Sequence, residues 1–470
     1  MTATTRTKSD GTDVSQLVAA WWRLWAIAAL AHFVSNNTGE AWRLASVVNA
    51  AVGAVAIAVV LRPGDRRLRT ALAVGVTASA FAEAPLLGNH WFLAAVISLL
   101  AVVSRPWTAD DDFWRRFAPA ARVGLLVFYS FAAFAKLNTG FLDPLESCAR
   151  FFANRTLSFW QLPEFAGSSP IATVIPYLTV AVELSVPILL VVRRTRSFGV
   201  LLAIGFHLVL TLDLLQHFFD FTLVLIPLFL LFAPQHLTTL DDAWPRPRAA
   251  GGRPWIALVA FMVAAASLPL PIVFRGLGLI VSWAIWLFLG VVITRRLVLP
   301  MLREARTAPS ADVTLSLRRT GIGAPVLIAV MFLNGLTPYL EVKSATGFNM
   351  YSNLATVSGE TNHLVVPGTL ELRTDQSDLV RIIKTDSESL EGYITEDFLL
   401  PAINLRDHLA ANPDTAITFE YEGEEIVLER AGDHAEWLEA QPWWIEKFFL
   451  FRAVSPAEIP TCQPAFLPAH

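Results

Sequence analysis

The sequence predicts an all-α polytopic membrane bundle of about eleven transmembrane helices, carrying a small α+β extracytoplasmic C-terminal domain. Three observations predict it. Hydrophobic residues make up 54% of the chain and charged residues only 16%, well below the roughly 25% charged of soluble domains. Apolar runs of near-spanning length recur as far as residue 340, and arginines cluster in every second loop between them. Beyond that point the pattern changes to short alternating segments split by Gly and Asp turns.

The runs fall near 15–34, 42–61, 69–87, 90–105, 118–138, 170–192, 197–214, 218–234, 254–271, 276–294 and 321–340, and each reads as a helix because lipid leaves no partner for an unpaired backbone. The third and fourth are short and joined by a tight Leu87-Gly88-Asn89-His90 turn. Residues 1–14 are polar, and the first run reads as a retained anchor. Arg62, Arg66, Arg67 and Arg69 share one loop, and Arg105, Arg115, Arg116 and Arg122 another; Arg193–Arg196, Arg246–Arg253 and Arg295–Arg319 continue the series. All lie on one side of an alternating count, so the positive-inside rule makes the N-terminus cytoplasmic and the chain after about Leu340 extracytoplasmic. The organisation read from this is a cytoplasmic tail over 1–14, a transmembrane core over 15–240, additional spans over 241–340 and an extracytoplasmic domain over 341–470. In that last domain 364–372, 379–384, 416–421 and 425–429 read as strands, and 399–411 and 436–449 as helices, the second notched by Pro442.

Polar groups inside apolar runs are the informative ones, since lipid penalises each of them. Lys136 lies about 27 Å of helix from Ala118, close to one membrane surface, flanked by Phe134, Leu137 and Phe141. It either snorkels or serves as a buried amine. Glu183 is mid-span, where a carboxylate must be paired or neutral; an arginine or tyrosine partner joining two helices is the plain alternative to a role in a site. His207 is either a satisfied hydrogen-bonding residue or part of a site, and His90, Glu83, Asp213 and Asp220 are similarly open. No nucleic-acid motif, phosphate loop, nucleophile elbow or helical metal-ligand pair occurs, so neither a metal nor a nucleic-acid partner is expected. The two cysteines, Cys148 and Cys462, allow one bridge at most.

Three blocks resemble one family. Phe131-Ala132-Ala133-Phe134-Ala135-Lys136-Leu137-Asn138 is similar to the signature Tyr-Phe-x-Ala-Gly-x-x-Lys-Leu-Asp/Asn. A block from Glu183 to Pro187, Arg194 to Gly199 and Gly205-Phe206-His207 follows, leading to a last run ending at Pro234. Asn89-His90-Trp91 resembles an Asn-His-aromatic block. Together they resemble the horizontally transferred transmembrane domain family, the vitamin K-dependent γ-glutamyl carboxylase-like proteins, over roughly residues 15–240. The tail resembles those of bacterial members through Thr337-Pro338-Tyr339-Leu340, Phe348 to Asn353 and Asn362-His363.

The resemblance implies an integral enzyme of the bacterial cytoplasmic membrane using a reduced naphthoquinone, vitamin K hydroquinone or menaquinol. Lys136 would deprotonate the quinol, and oxygenation of the quinol would drive proton abstraction from a secreted peptide, protein or small substrate, with γ-carboxylation of glutamate as the family reaction. His90 would stabilise charge, and Phe134, Asn138, Asn89, Trp91, Glu183 and His207 would line the pocket. An amine is a base only when neutral, a form that desolvation favours. The other readings are a non-catalytic membrane protein that binds, matures or escorts a peptide or lipid, and a transporter. On this topology Cys148 and Cys462 face an oxidising compartment and either bridge the tail to the outer loop or remain two thiols.

Overall fold

The computed structural model describes residues 13–36, 44–167, 169–242, 272–304 and 313–463. It is mostly helical. The principal helices are α1 (Val14–Asn36), α2 (Leu44–Leu61), α3 (Arg66–Glu83), α4 (Asn89–Val103), α5 (Asp110–Phe134), α6 (Thr139–Leu142), α7 (Cys148–Phe159), α8 (Pro170–Val191), α9 (Arg196–Leu210), α10 (Phe218–Phe229) and α11 (Gln235–Asp242). After them come α12 (Ile272–Ile293), α13 (Leu299–Glu304) and α14 (Gly323–Leu336). Ten of the eleven apolar runs are helical; the run 254–271 lies outside the described residues. Among the described residues, four stretches are long and apolar enough to cross a membrane: Val14–Val34, Asp110–Phe134, Pro170–Val191 and Trp283–Glu304.

Two compact units make up the chain. The first comprises Met1–Ala82, Leu93–Leu125 and Ile188–Ile328. Its core is aromatic: Trp21 stacks on Trp25 with centroids 5.1 Å apart and meets Phe117 edge-on at 4.4 Å, while Phe113 stacks on Phe117 at 5.0 Å. Several arginines of the charge clusters are structural here. Arg69 pairs with Asp110 at 2.8 Å. Arg122 donates to the carbonyls of Leu231 and Thr314 at 2.8 and 3.0 Å, and Arg196 to those of Leu190 and Val313 at 2.9 and 3.0 Å. Buried guanidinium groups thereby satisfy carbonyls left open at helix ends, those of Leu190 and Leu231, and in the irregular stretch at Val313 and Thr314.

The second unit comprises Glu83–Phe92, Leu126–Pro187 and Ala329–His470. It contains a four-stranded antiparallel sheet in the order β4-β3-β5-β6, built from β3 (Leu379–Thr385), β4 (Leu400–Pro401), β5 (Ile417–Tyr421) and β6 (Glu424–Leu428). A separate two-stranded ribbon, β1 (Thr356–Val357) and β2 (Glu360–Thr361), precedes it. Helices α15 (Glu388–Thr395) and α16 (Ala402–Ala411) share the sheet's core with Val380, Leu390, Tyr393, Leu405, Phe419 and Trp437. The sheet follows the expected alternation of residues 379–384, 416–421 and 425–429.

Two expectations for the tail are corrected. Residues 364–372 form no strand, because Pro367-Gly368 interrupts the run. Its amides pair elsewhere, Leu364 N–H with the Leu137 carbonyl at 2.8 Å and Leu370 N–H with that of Tyr339 at 2.9 Å. The expected helix 436–449 is a short 3₁₀ turn at Ala435–Trp437 and a final helix α17 (Trp443–Phe448), separated at Pro442.

A third correction concerns α5. It begins at Asp110, eight residues before the apolar run, because Asp110, Asp111 and Asp112 occupy its first turn and complement the helix dipole. It ends at Phe134, so Lys136 sits in the following turn and not within the helix. Asn138 explains the stop. Its Nδ2 donates to the Ala135 carbonyl at 2.7 Å, and its Oδ1 accepts from Phe141 N–H at 2.8 Å as the N-cap of α6.

Candidate functional site

Lys136 and Glu183 are brought together in the second unit. The Lys136 ammonium lies 2.9 Å from Glu183 Oε2, donates to the Ala132 carbonyl at 3.1 Å, and sits 5.8 Å from the Phe141 ring centre. Both side chains are almost wholly shielded, 8% and 11% exposed. In so apolar a setting either charge alone would be costly, and the pair offsets the cost of both. Glu183 stands four residues before Pro187 in α8. Proline has no N–H to give to the Glu183 carbonyl, so the otherwise continuous helix lacks one ladder hydrogen bond at the residue that carries the acid.

The turn bearing Lys136 is clamped by residues more than two hundred positions later. His363 donates from Nε2 to the Phe134 carbonyl at 2.9 Å and accepts at Nδ1 from Val365 and Val366 N–H, both at 3.1 Å. Those partners define a neutral imidazole with its proton on Nε2. Burial holds its pKa below the usual histidine value, against the opposing pull of the Phe134 carbonyl. The ring also lies 4.4 Å from that of Phe134 and 5.6 Å from Tyr339. Asn138 donates to the Ser352 carbonyl at 2.6 Å and accepts from Asn362 Nδ2 at 3.2 Å. Asn353 accepts from Cys148 N–H at 3.0 Å and donates to the carbonyls of Glu146 and Pro460. Next to these contacts Cys148 and Cys462 form a disulfide, with Cα atoms 4.8 Å apart across 314 residues of sequence. Gly335 makes room for Phe131: a Cβ there would stand 2.3 Å from the ring.

The Asn89-His90-Trp91 block opens α4 and belongs to the same unit. Asn89 Oδ1 accepts from Phe348 N–H at 2.8 Å, Trp91 is fully buried, and His90 is half-buried over Gly88. His207 belongs to the first unit, buried with its ring 5.0 Å from Phe221 and 5.8 Å from Phe229.

One residue escaped sequence reasoning altogether. Lys343 is buried beside Phe92, 5.5 Å from its ring centre, and its amine donates to Thr346 Oγ1 at 3.1 Å. Neither partner neutralises its charge, and burial lowers its pKa to about 8. A lone lysine in the polar stretch after a span carries no sequence signal of this. No family model matches the chain, and no curated protein or solved structure matches it.

Proposed function

We propose that the chain is an integral membrane enzyme of the carboxylase-like family, with Lys136 as general base and Glu183 as the partner that holds the amine and exchanges its proton. The observation that carries this reading is the buried Lys136–Glu183 pair at 2.9 Å, built at the lysine of the Lys-Leu-Asn block. Transfer of one proton from the ammonium to the carboxylate leaves a neutral amine and a neutral acid. That amine can then take a proton from a weakly acidic substrate. Phe141 borders the amine with apolar surface suited to a lipophilic quinol, which reaches such a site through the bilayer. A reduced naphthoquinone supplies, on reaction with oxygen, a base strong enough to remove an unactivated C–H proton. His90 stabilises charge on the acceptor, a peptide, protein or small molecule, with glutamate γ-carboxylation as the family outcome.

The accompanying topology has about eleven spans in a bacterial cytoplasmic membrane, a cytoplasmic N-terminus and an extracytoplasmic tail. The disulfide supports that sidedness, since both cysteines then meet an oxidising compartment. A second reading is a non-catalytic membrane protein that binds or escorts a peptide or lipid. The bond from the amine to the Ala132 carbonyl favours it, because it lets the ion pair serve as a fixed pin. Quinone epoxide formation separates the two. Purified protein given a reduced naphthoquinone and oxygen is expected to yield epoxide, and Lys136→Ala none. No epoxide from folded wild-type protein would favour the binding reading.

A further inference from the structure

The C-terminal part of the second unit carries one segment whose surface does not suit water. Leu364, Val365, Leu370 and Leu372 are 58–64% exposed, and the only charge between Leu364 and Leu372 is Glu371. A water-facing loop seldom gathers four large aliphatic side chains in so short a stretch. Helix α17 is of the same kind, with Trp443 and Trp444 at 65% and 49% exposure. All of these residues belong to the second unit.

The fastening of the two elements specifies what covers them. Leu364 N–H donates to the Leu137 carbonyl at 2.8 Å, just past the end of α5, one of the stretches long enough to cross a membrane. Leu370 and Leu372 N–H donate to the carbonyls of Tyr339 and Leu340 at 2.9 and 3.2 Å, just past the end of α14. Backbones bonded in this way run about 5 Å apart, so the segment lies at the level where both helices leave the apolar layer. Helix α17 is fastened to a third exit: Lys447 Nζ donates to the carbonyl of Ala84, the residue after α3 ends, at 3.0 Å. These exits close the third, fifth and eleventh apolar runs, which an alternating count puts on one side. Apolar surface also runs up to them, since Phe332 and Leu333 in the last turn of α14 are 50% and 58% exposed. In a spanning helix lipid covers such side chains, and the same lipid boundary then meets the segment bonded at its exit. Exposed tryptophans beside a helix exit suit the headgroup level.

We propose that the C-terminal domain docks on the surface of its own bilayer, with residues 364–372 and α17 seated in the boundary between headgroups and acyl chains. The depth of seating is that of interfacial elements, about 5–10 Å. The inference rests on the membrane topology proposed above and not on the chemistry given to Lys136.

The test uses the full chain in lipid nanodiscs. Both native cysteines are in the bridge, so a single added thiol can carry an environment-sensitive fluorophore. Val365→Cys, Leu372→Cys and Trp443→Cys report on docking, Glu424→Cys on an exposed position of β6, and Leu333→Cys on the embedding of α14. The first three are expected to lose emission to lipids spin-labelled near the glycerol, and their quenching by aqueous iodide should fall severalfold below that at Glu424→Cys. Lipid quenching at Leu333→Cys with iodide quenching alone at the three docking positions would overturn the proposal and leave the topology intact. No lipid quenching at Leu333→Cys would overturn the membrane reading and the proposal with it. Shielding of the docking positions from both quenchers would mean that protein, such as a second copy of the chain, covers them, and would overturn the assignment to lipid.

Discussion

Replacing Lys136 by methionine leaves the Glu183 carboxylate buried without its counter-charge, and the structure gives the size of the effect. At 2.9 Å the Coulomb attraction is about 6 kcal/mol at an effective dielectric of 20. Desolvating the two groups costs several kcal/mol each, so the net contribution of the intact pair is small. Removing one partner is a different matter, because the other keeps its desolvation cost and loses the attraction. Lys136→Met and Glu183→Leu should each lower stability by about 3–5 kcal/mol, whereas the double replacement should fall within about 1–2 kcal/mol of wild type. Unfolding in mixed micelles, followed by tryptophan fluorescence, measures all four proteins. Additive losses in the double variant would show that the pair is not an energetic unit, and the account of a coupled proton pair would fail with it.

Lys343 should behave in the opposite sense. Its amine titrates near 8 in the folded protein against an ordinary 10.5, so the unfolded chain binds more protons between those values and stability rises with pH across that window. Below pH 8 the gap costs about 3 kcal/mol, which Lys343→Met should recover at neutral pH while flattening the ramp; an unchanged pH profile would contradict this. For His363, whose value is lowered by burial, protonation puts a hydrogen on Nδ1 facing two N–H donors. Its contribution is present above the ordinary 6.5 and lost as pH falls from there through its lowered folded value, so His363→Asn should blunt acid destabilisation below 6.5. Reduction of Cys148–Cys462 should slow the protein on a non-reducing gel and lower stability by about 2–5 kcal/mol; unchanged mobility would count against the bridge.

How far the sequence carried depends on the kind of signal. Helices were readable because apolar runs have length and the three tail strands because they alternate; Pro367-Gly368 defeated the fourth because amides there found irregular partners. Arg122 and Arg196 were read as loop charges, yet they are buried and bond carbonyls more than a hundred residues away. Nothing local reveals such a contact. Lys136 and Glu183 were each conspicuous as charges in apolar runs, but their spacing of 47 residues could not say that they meet. His363 and Asn362 stood out only by resemblance. Their work, clamping the turn after α5, depends on bonds to Phe134 and Asn138 that no local pattern encodes.

The most direct test of the central claim is quinone epoxidation by the Lys136→Met/Glu183→Leu double variant, which is expected to stay folded. The account predicts no epoxide from it and a measurable rate from wild type under the same conditions. Epoxide at the wild-type rate from the folded double variant would remove Lys136 from the chemistry.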